Sequence, residues 1–266
     1  LRSRPDVPDA DAFFATARER GLAALLENPQ TLHLLADALR GEDWPDSRAK
    51  TYDLACRQLV LEPNPEHLAA KRGKRPAIDR LLDAAGYLSA IGLLADIPAF
   101  SLNEADPGYP SPEHLSPPSP LPVSQALTTR LFKGLDGRQR FMPIHRSVAE
   151  YLAARYLAQR LEAGLPLGRV LALITGADGG VVSGLRGLHA WLAVHSPSGR
   201  ATLIDTDPLG VVLYGDVQSF SRADKQRLLE GLRALARQHA GFRWQDWSAS
   251  PFGALSTPEM EPVFRD

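Results

Sequence analysis

Arg140-Phe-Met-Pro-Ile-His-Arg-Ser-Val-Ala-Glu-Tyr-Leu-Ala-Ala-Arg-Tyr-Leu-Ala-Gln-Arg-Leu161 is the stretch whose reading decides the fold. Projected at about 100° per residue, Val148, Ala149, Tyr151, Leu152, Ala153, Ala154, Tyr156, Leu157, Ala158 and Leu161 cover nearly the whole circumference of a helix. A helix that is apolar on every side is a buried one, and its many alanines combine high helix propensity with room for close backbone approach. The reading is a central strut with elements packed on opposite flanks. Ser147 and Glu150 stand at capping-box spacing, which predicts a helix start near His145.

Immediately upstream, Leu131-Phe-Lys-Gly-Leu135 and Arg138-Gln-Arg-Phe-Met142 flank Asp136-Gly137. Asp-Gly supplies the positive φ angles of a tight hairpin turn. With the apolar run 123–132 ahead of it, the order is helix, short hairpin, long helix, the order of a winged-helix element. Further upstream the periodicity is helical throughout. Asp11 is placed to cap a helix over 12–20, Asn28-Pro29 to open one that turns Leu32, Leu35 and Leu39 inward, and Asp46 or Ser47 to cap one reaching 62. Lys71-Arg-Gly-Lys-Arg75 reads as a solvated basic loop, 77–94 as a strong helix, and 107–122, with seven prolines, as an irregular surface segment.

Downstream, Gly164-Leu-Pro166 turns the chain into a helix over 167–175 and Gly176–Gly180 makes a flexible turn. Helices follow over 181–194, 198–204, 209–214 (opened by Asp207-Pro208) and 222–239 (capped by Ser221). Short helices at short intervals are the pattern of a helical solenoid, with 250–264 as the start of a further unit. The expected fold class is therefore mainly all-α: a helical domain, a winged-helix element with one short β-hairpin, then a HEAT-like α-solenoid. The expected domains are 1–44, 45–163 and 164–266.

Composition narrows the function. The 266 residues, 44% of them hydrophobic, can bury a sizeable core. A net charge of −1 from 30 basic and 31 acidic residues argues against a phosphate backbone or an anionic membrane as main partner. Cys56 is the single cysteine and lies in an apolar helical pattern, so a buried thiol in a reducing, cytoplasmic compartment is expected. No apolar run approaches the ~18 residues of a membrane span. The chain begins without Met and stops within a pattern at Phe264-Arg-Asp266, which suggests a portion of something longer.

Self-sufficient chemistry is hard to find. The only Gly-Lys, Gly73-Lys74, is followed by Arg75 and has Leu68 where a phosphate-binding loop places its first glycine. Gly180-Val-Val-Ser-Gly184 lacks the strand-turn-helix pattern of a nucleophile elbow, and no His pair has the spacing of a zinc site. Asp205-Thr-Asp207 has the donors for a divalent cation, but Asp207 before Pro208 is more simply a helix cap. His145 stands where a helix N-terminus exposes unpaired N–H groups suited to phosphate, although local sequence alone favours a satisfied packing histidine.

His145-Arg-Ser-Val-Ala-Glu-Tyr-Leu-Ala-Ala154, with Asn28-Pro29-Gln-Thr-Leu32 upstream and Trp44-Pro45 between, resembles the region that follows the nucleotide-binding core of NACHT-type STAND NTPases. The resemblance implies a small helical domain whose Pro, here Pro29, lies against adenine. It also implies a winged helix whose His, here His145, reaches the β-phosphate of bound ADP, so the packing reading of His145 gives way. Val148 stands where the family usually has an aromatic residue. The Walker-bearing core would precede this chain, so ATP/ADP is the implied cofactor of the parent only, and the chain itself is expected to be no enzyme, with no catalytic or metal residue. The implied partners are the upstream core, a protein ligand or effector, and a second copy on activation, with neither membrane nor nucleic acid. Prokaryotic relatives of this kind often act against phage. The rival reading is a non-enzymatic α-helical scaffold that binds a protein along its solenoid.

Overall fold

The computed structural model describes residues 9–19, 32, 36, 39, 44–61, 76–135, 139–238, 241 and 250–265. It divides into two compact units, 1–156 and 157–266. Among the described residues the protein is mainly helical with one small antiparallel sheet, as its periodicity predicts.

In the first unit, α1 (Ala10–Glu19) starts earlier than expected. Asp9 and not Asp11 caps it, its Oδ1 accepting from the Ala12 N–H at 2.8 Å. Ser47 caps α2 (Arg48–Leu61) by accepting from the Lys50 N–H at 3.2 Å, while Asp46 binds the Lys50 ammonium. The expected stripe is buried: Tyr52, Ala55, Cys56, Leu59 and Val60. α3 (Ile78–Leu94) closes with a left-handed residue, Asp96 at φ 52°, beyond its end, so that the Ile97 N–H reaches the Gly92 carbonyl at 2.8 Å.

The strut is α5 (Arg146–Glu162), and Val148 to Ala154 are all buried or nearly so. α3 crosses it closely at Gly86, where an added Cβ would meet the Leu152 carbonyl oxygen at 2.7 Å and the Tyr156 Cβ at 2.8 Å. α2 meets the same helix through Tyr52 and Tyr151, their rings 5.4 Å apart, and Tyr87 of α3 meets Tyr156 edge-on at 5.7 Å. Ion pairs tie the three helices along their rim: Arg57 to Asp53 at 2.7 Å and to Asp79 at 2.9 Å, and Arg155 to Asp83 at 3.3 Å. These half-exposed pairs add little stability, and the aromatic and alanine contacts hold the layer.

The hairpin forms where Asp-Gly predicts it. β2 (Phe132–Leu135) pairs antiparallel with β3 (Arg140–Pro143), Leu135 opposite Arg140 and Phe132 opposite Pro143. Asp136 to Arg138 lie outside the described residues, and Gln139, which leads into β3, has φ 58°. A two-residue strand that sequence reading missed, β1 (Phe100–Ser101), adds to the other edge of β3, for an order β1-β3-β2. Two residues carry no periodicity, so nothing announced it. The helix ahead of the hairpin, α4 (Val123–Leu127), is shorter than the expected 123–132, because Phe132 is taken by the sheet and buried there with Phe100 and Phe141. The proline-rich segment is irregular apart from one 3-10 turn at Pro112–His114. It is nonetheless fastened: Arg140 binds Asp106 through Nε at 2.6 Å and a terminal nitrogen at 2.7 Å and lies 4.3 Å over the Tyr109 ring.

The second unit holds α6 (Leu167–Ile174), α7 (Arg186–His195), α8 (Arg200–Thr206), α9 (Pro208–Tyr214), α10 (Arg222–Gln238), α11 (Ser250–Gly253) and α12 (Glu261–Arg265). α7 begins later than the expected 181, since Val181 bridges Thr175 and 183–185 is a 3-10 turn, the Gly176 N–H meeting the Gly180 carbonyl to close the loop. Leu188, Trp191 and Leu192 of α7, Leu203 and Ile204 of α8, Val211 of α9 and Leu228 of α10 form the core. Two arginines staple it. Arg186 grips Asp207 with two nitrogens at 2.7 and 2.9 Å, and Arg200 caps the Ala193 and Val194 carbonyls at the end of α7 while reaching Asp224 on α10 at 3.2 Å. Among the described residues no helix is long and apolar enough to cross a membrane.

Candidate functional site

The edge of the first unit that carries His145 is built by the junction of β3 with α5. The chain leaves the sheet at Pro143, buries Ile144, whose N–H donates to the Leu131 carbonyl at 2.9 Å, and turns into the helix. His145 is the N-cap: its carbonyl accepts the first helical hydrogen bond, from the Ala149 N–H at 3.1 Å. Its side chain caps as well. Nδ1 accepts from the Ser147 N–H at 3.1 Å and stands 3.0 Å from Ser147 Oγ. The expected capping box between Ser147 and Glu150 is therefore not formed. Ser147 lies inside the first turn, and Glu150 binds Arg146 instead, Nε to Oε1 at 2.9 Å.

This geometry fixes the chemistry of the ring. With Nδ1 accepting from a backbone N–H, the neutral imidazole carries its proton on Nε2, and the histidine is half-buried. Beside it, Arg146 is 58% exposed while the carboxylate it holds is 14% exposed. Burial pushes the Glu150 carboxyl above its ordinary range, and the positive charges of Arg146 and of Arg48 at the start of α2 oppose that shift. The assembly is a helix N-terminus bearing an imidazole N–H donor and a guanidinium, which suits an anionic oxygen such as a phosphate. Pro29, the other residue expected to touch nucleotide, lies outside the described residues, as does the basic loop 71–75. The i, i+4 spacing of Arg146 and Glu150 marks them as a pair in one dimension, whereas the approach of Arg48 from α2 is visible only in the structure.

The other polar groups weighed in the sequence are engaged in structure. Asp207 is the cap of α9, its Oδ1 accepting from the Gly210 N–H at 2.9 Å, and Asp205 pairs with Arg227 at 3.4 Å. No group of three or more His, Cys, Asp and Glu side chains suited to a metal occurs among the described residues. Cys56 is buried, and burial holds its thiol well above the ordinary range, the opposite of an activated nucleophile. A shallow cleft of about 480 Å³ is lined by Pro45, Ala49, Lys50, Asp53, Leu54, Arg57 and Tyr151. Its two cations are already bound, Lys50 by Asp46 and Arg57 by Asp53 and Asp79.

Neither a model of any known protein family nor any curated protein matches this chain.

Proposed function

We propose that the chain is the regulatory portion of a nucleotide-gated, signal-transducing NTPase of NACHT/STAND type, coupling the ADP or ATP state of an upstream core to activation. The single observation that supports the reading is His145, which spends Nδ1 on the N-terminus of its own helix, so that a neutral ring carries its proton on Nε2, with Arg146 adjacent. In the parent this donor bonds a nucleotide phosphate and holds the winged helix on the core in the resting state, while the helices of the second unit sense a protein ligand. Activation then releases the bond, with self-association and, in a prokaryotic host, antiphage defence as the output. The chain has no catalytic residue of its own in this scheme, and Pro29 supplies the adenine contact.

The test is made on the protein that includes the upstream core. ADP retention is compared before and after His145→Asn, which keeps an N-cap acceptor but removes the ring N–H. Faster ADP loss at unchanged stability supports the reading, and unchanged retention overturns it. Leu173, at 60% exposure, and Val182, at 46%, favour a second reading, a non-enzymatic scaffold that binds a protein through its helical second unit. The coding sequence upstream of Leu1 separates the two, since a scaffold needs no Walker motifs there.

A further inference from the structure

Lys225, on the first turns of α10, is 2% exposed. Removing an ammonium from water costs several kcal/mol unless it is paired, and among the described residues both partners of this one lie in a single short segment. Its Nζ donates to Glu259 Oε1 at 2.8 Å and to Thr257 Oγ1 at 3.4 Å. On either side of that polar contact, Leu255 is 3% and Met260 0% exposed. The segment is built from pieces of minimal length, α11, a 3-10 turn at Pro258–Met260 and α12, joined by tight turns. α11 packs on α9 and the 3-10 turn packs on α10.

We propose that 250–265 is an exchangeable strap, seated on α9 and α10 as an internal stand-in for a partner peptide with the same order of apolar anchor, acidic residue and apolar anchor. Three features favour exchange over a permanent core contact. The ion pair is open to water on one side, since Glu259 is 50% exposed over a buried Lys225. Replacing a buried ion pair by apolar side chains is often neutral or stabilising, and in this scheme the buried cation has the task of selecting an acidic residue. The anchors are few, and one is methionine, whose flexible thioether adapts to different surfaces. When the strap lifts, Lys225 and its flanking apolar wall become a site for a linear acidic-apolar peptide.

The experiment uses the full chain, its Glu259→Lys variant, which sets like charges against each other at Lys225, and the double variant Glu259→Lys/Lys225→Met. The probe is a fluorescent synthetic peptide of residues 250–265, followed by anisotropy, with amide exchange measured in parallel. The expected result is at least tenfold faster exchange across 250–265 in Glu259→Lys while α7 to α10 keep their protection. That variant should bind the peptide at least tenfold more tightly than the unmodified chain. Binding should be lost in the double variant and weakened at least tenfold when the peptide carries Glu259→Gln. Exchange rising together in 250–265 and in α7 to α10 overturns the proposal, because the strap is then core. So does peptide binding that is no tighter to the variant, or that ignores the peptide's glutamate.

Discussion

His145 has one observed role, capping, and one proposed role, and their energies are separable. As a cap it satisfies one orphan N–H, worth about 1 kcal/mol, and as a charge-assisted donor to phosphate it would be worth roughly 1.5–3 kcal/mol. His145→Ala should therefore lower the unfolding free energy by about 1 kcal/mol and also speed ADP loss from the parent. His145→Asn should leave the denaturant midpoint nearly unchanged while ADP retention falls on the order of tenfold or more, read by filtration of radiolabelled nucleotide. A second histidine contributes to the acid limb of stability. His189 is fully buried on α7, and burial lowers its pKa from 6.5 to about 4, against the pull of Asp207 and with the push of Arg186. The Leu203 backbone works in the opposite direction without offering either ring nitrogen a hydrogen bond of proper geometry. The unfolded chain thus binds a proton that the folded chain refuses between these two values. Stability from this group is complete above pH 6.5 and is withdrawn as pH falls toward 4, by about 3 kcal/mol at most. Urea unfolding at pH 7 and pH 4.5 should show a smaller acid loss in His189→Leu than in the unmodified chain.

At the scale of elements, the crossing of α3 over α5 rests on one absent side chain. Alanine normally favours a helix over glycine by about 1 kcal/mol, yet Gly86→Ala places a methyl group 2.7 Å from a backbone oxygen of α5 that cannot rotate away. Overpacking of that kind costs roughly 1–3 kcal/mol, so the thermal midpoint should fall despite the better propensity. Asp96→Gly should act in the other direction. The residue adopts φ 52° to close α3, a conformation glycine enters freely, and a gain of about 0.5–1 kcal/mol is expected from chemical denaturation. Existence and type of the elements are legible in the amino-acid pattern alone, since α2, α3 and α10 each declare a 3.6-residue period and α5 an apolar surface on nearly every side. Their ends are less legible. Asp9 and Asp11 offer carboxylates two positions apart for α1, Ser147 and His145 offer a hydroxyl and an imidazole two positions apart for α5, and only the path of the chain decides which side chain meets an orphan N–H.

For the whole molecule, the purified 266-residue chain should show a far-ultraviolet circular dichroism spectrum dominated by helix, and no ATP turnover in a phosphate-release assay. Turnover abolished by a point change within the chain would reveal a site that neither the motifs nor the described side chains supply. In the proposed reading the chain supplies half of a site: one imidazole and one guanidinium at a helix N-terminus would hold a phosphate oxygen but not position a magnesium ion or a water for attack.

The sequence by itself determined that the protein is mainly helical, with a strut apolar on nearly every side and a hairpin ahead of it, because periodicity and turn chemistry are local properties. It also singled out His145 and the capping role of Asp207, each from its place beside a helix start. Only the tertiary structure decided that Gly86 is the crossing point with α5, that Arg140 binds Asp106 across 34 positions, and that Lys225 is buried against Glu259 another 34 positions away. Contacts at that separation depend on how elements are brought together, and no window of sequence short enough to have a period contains both partners.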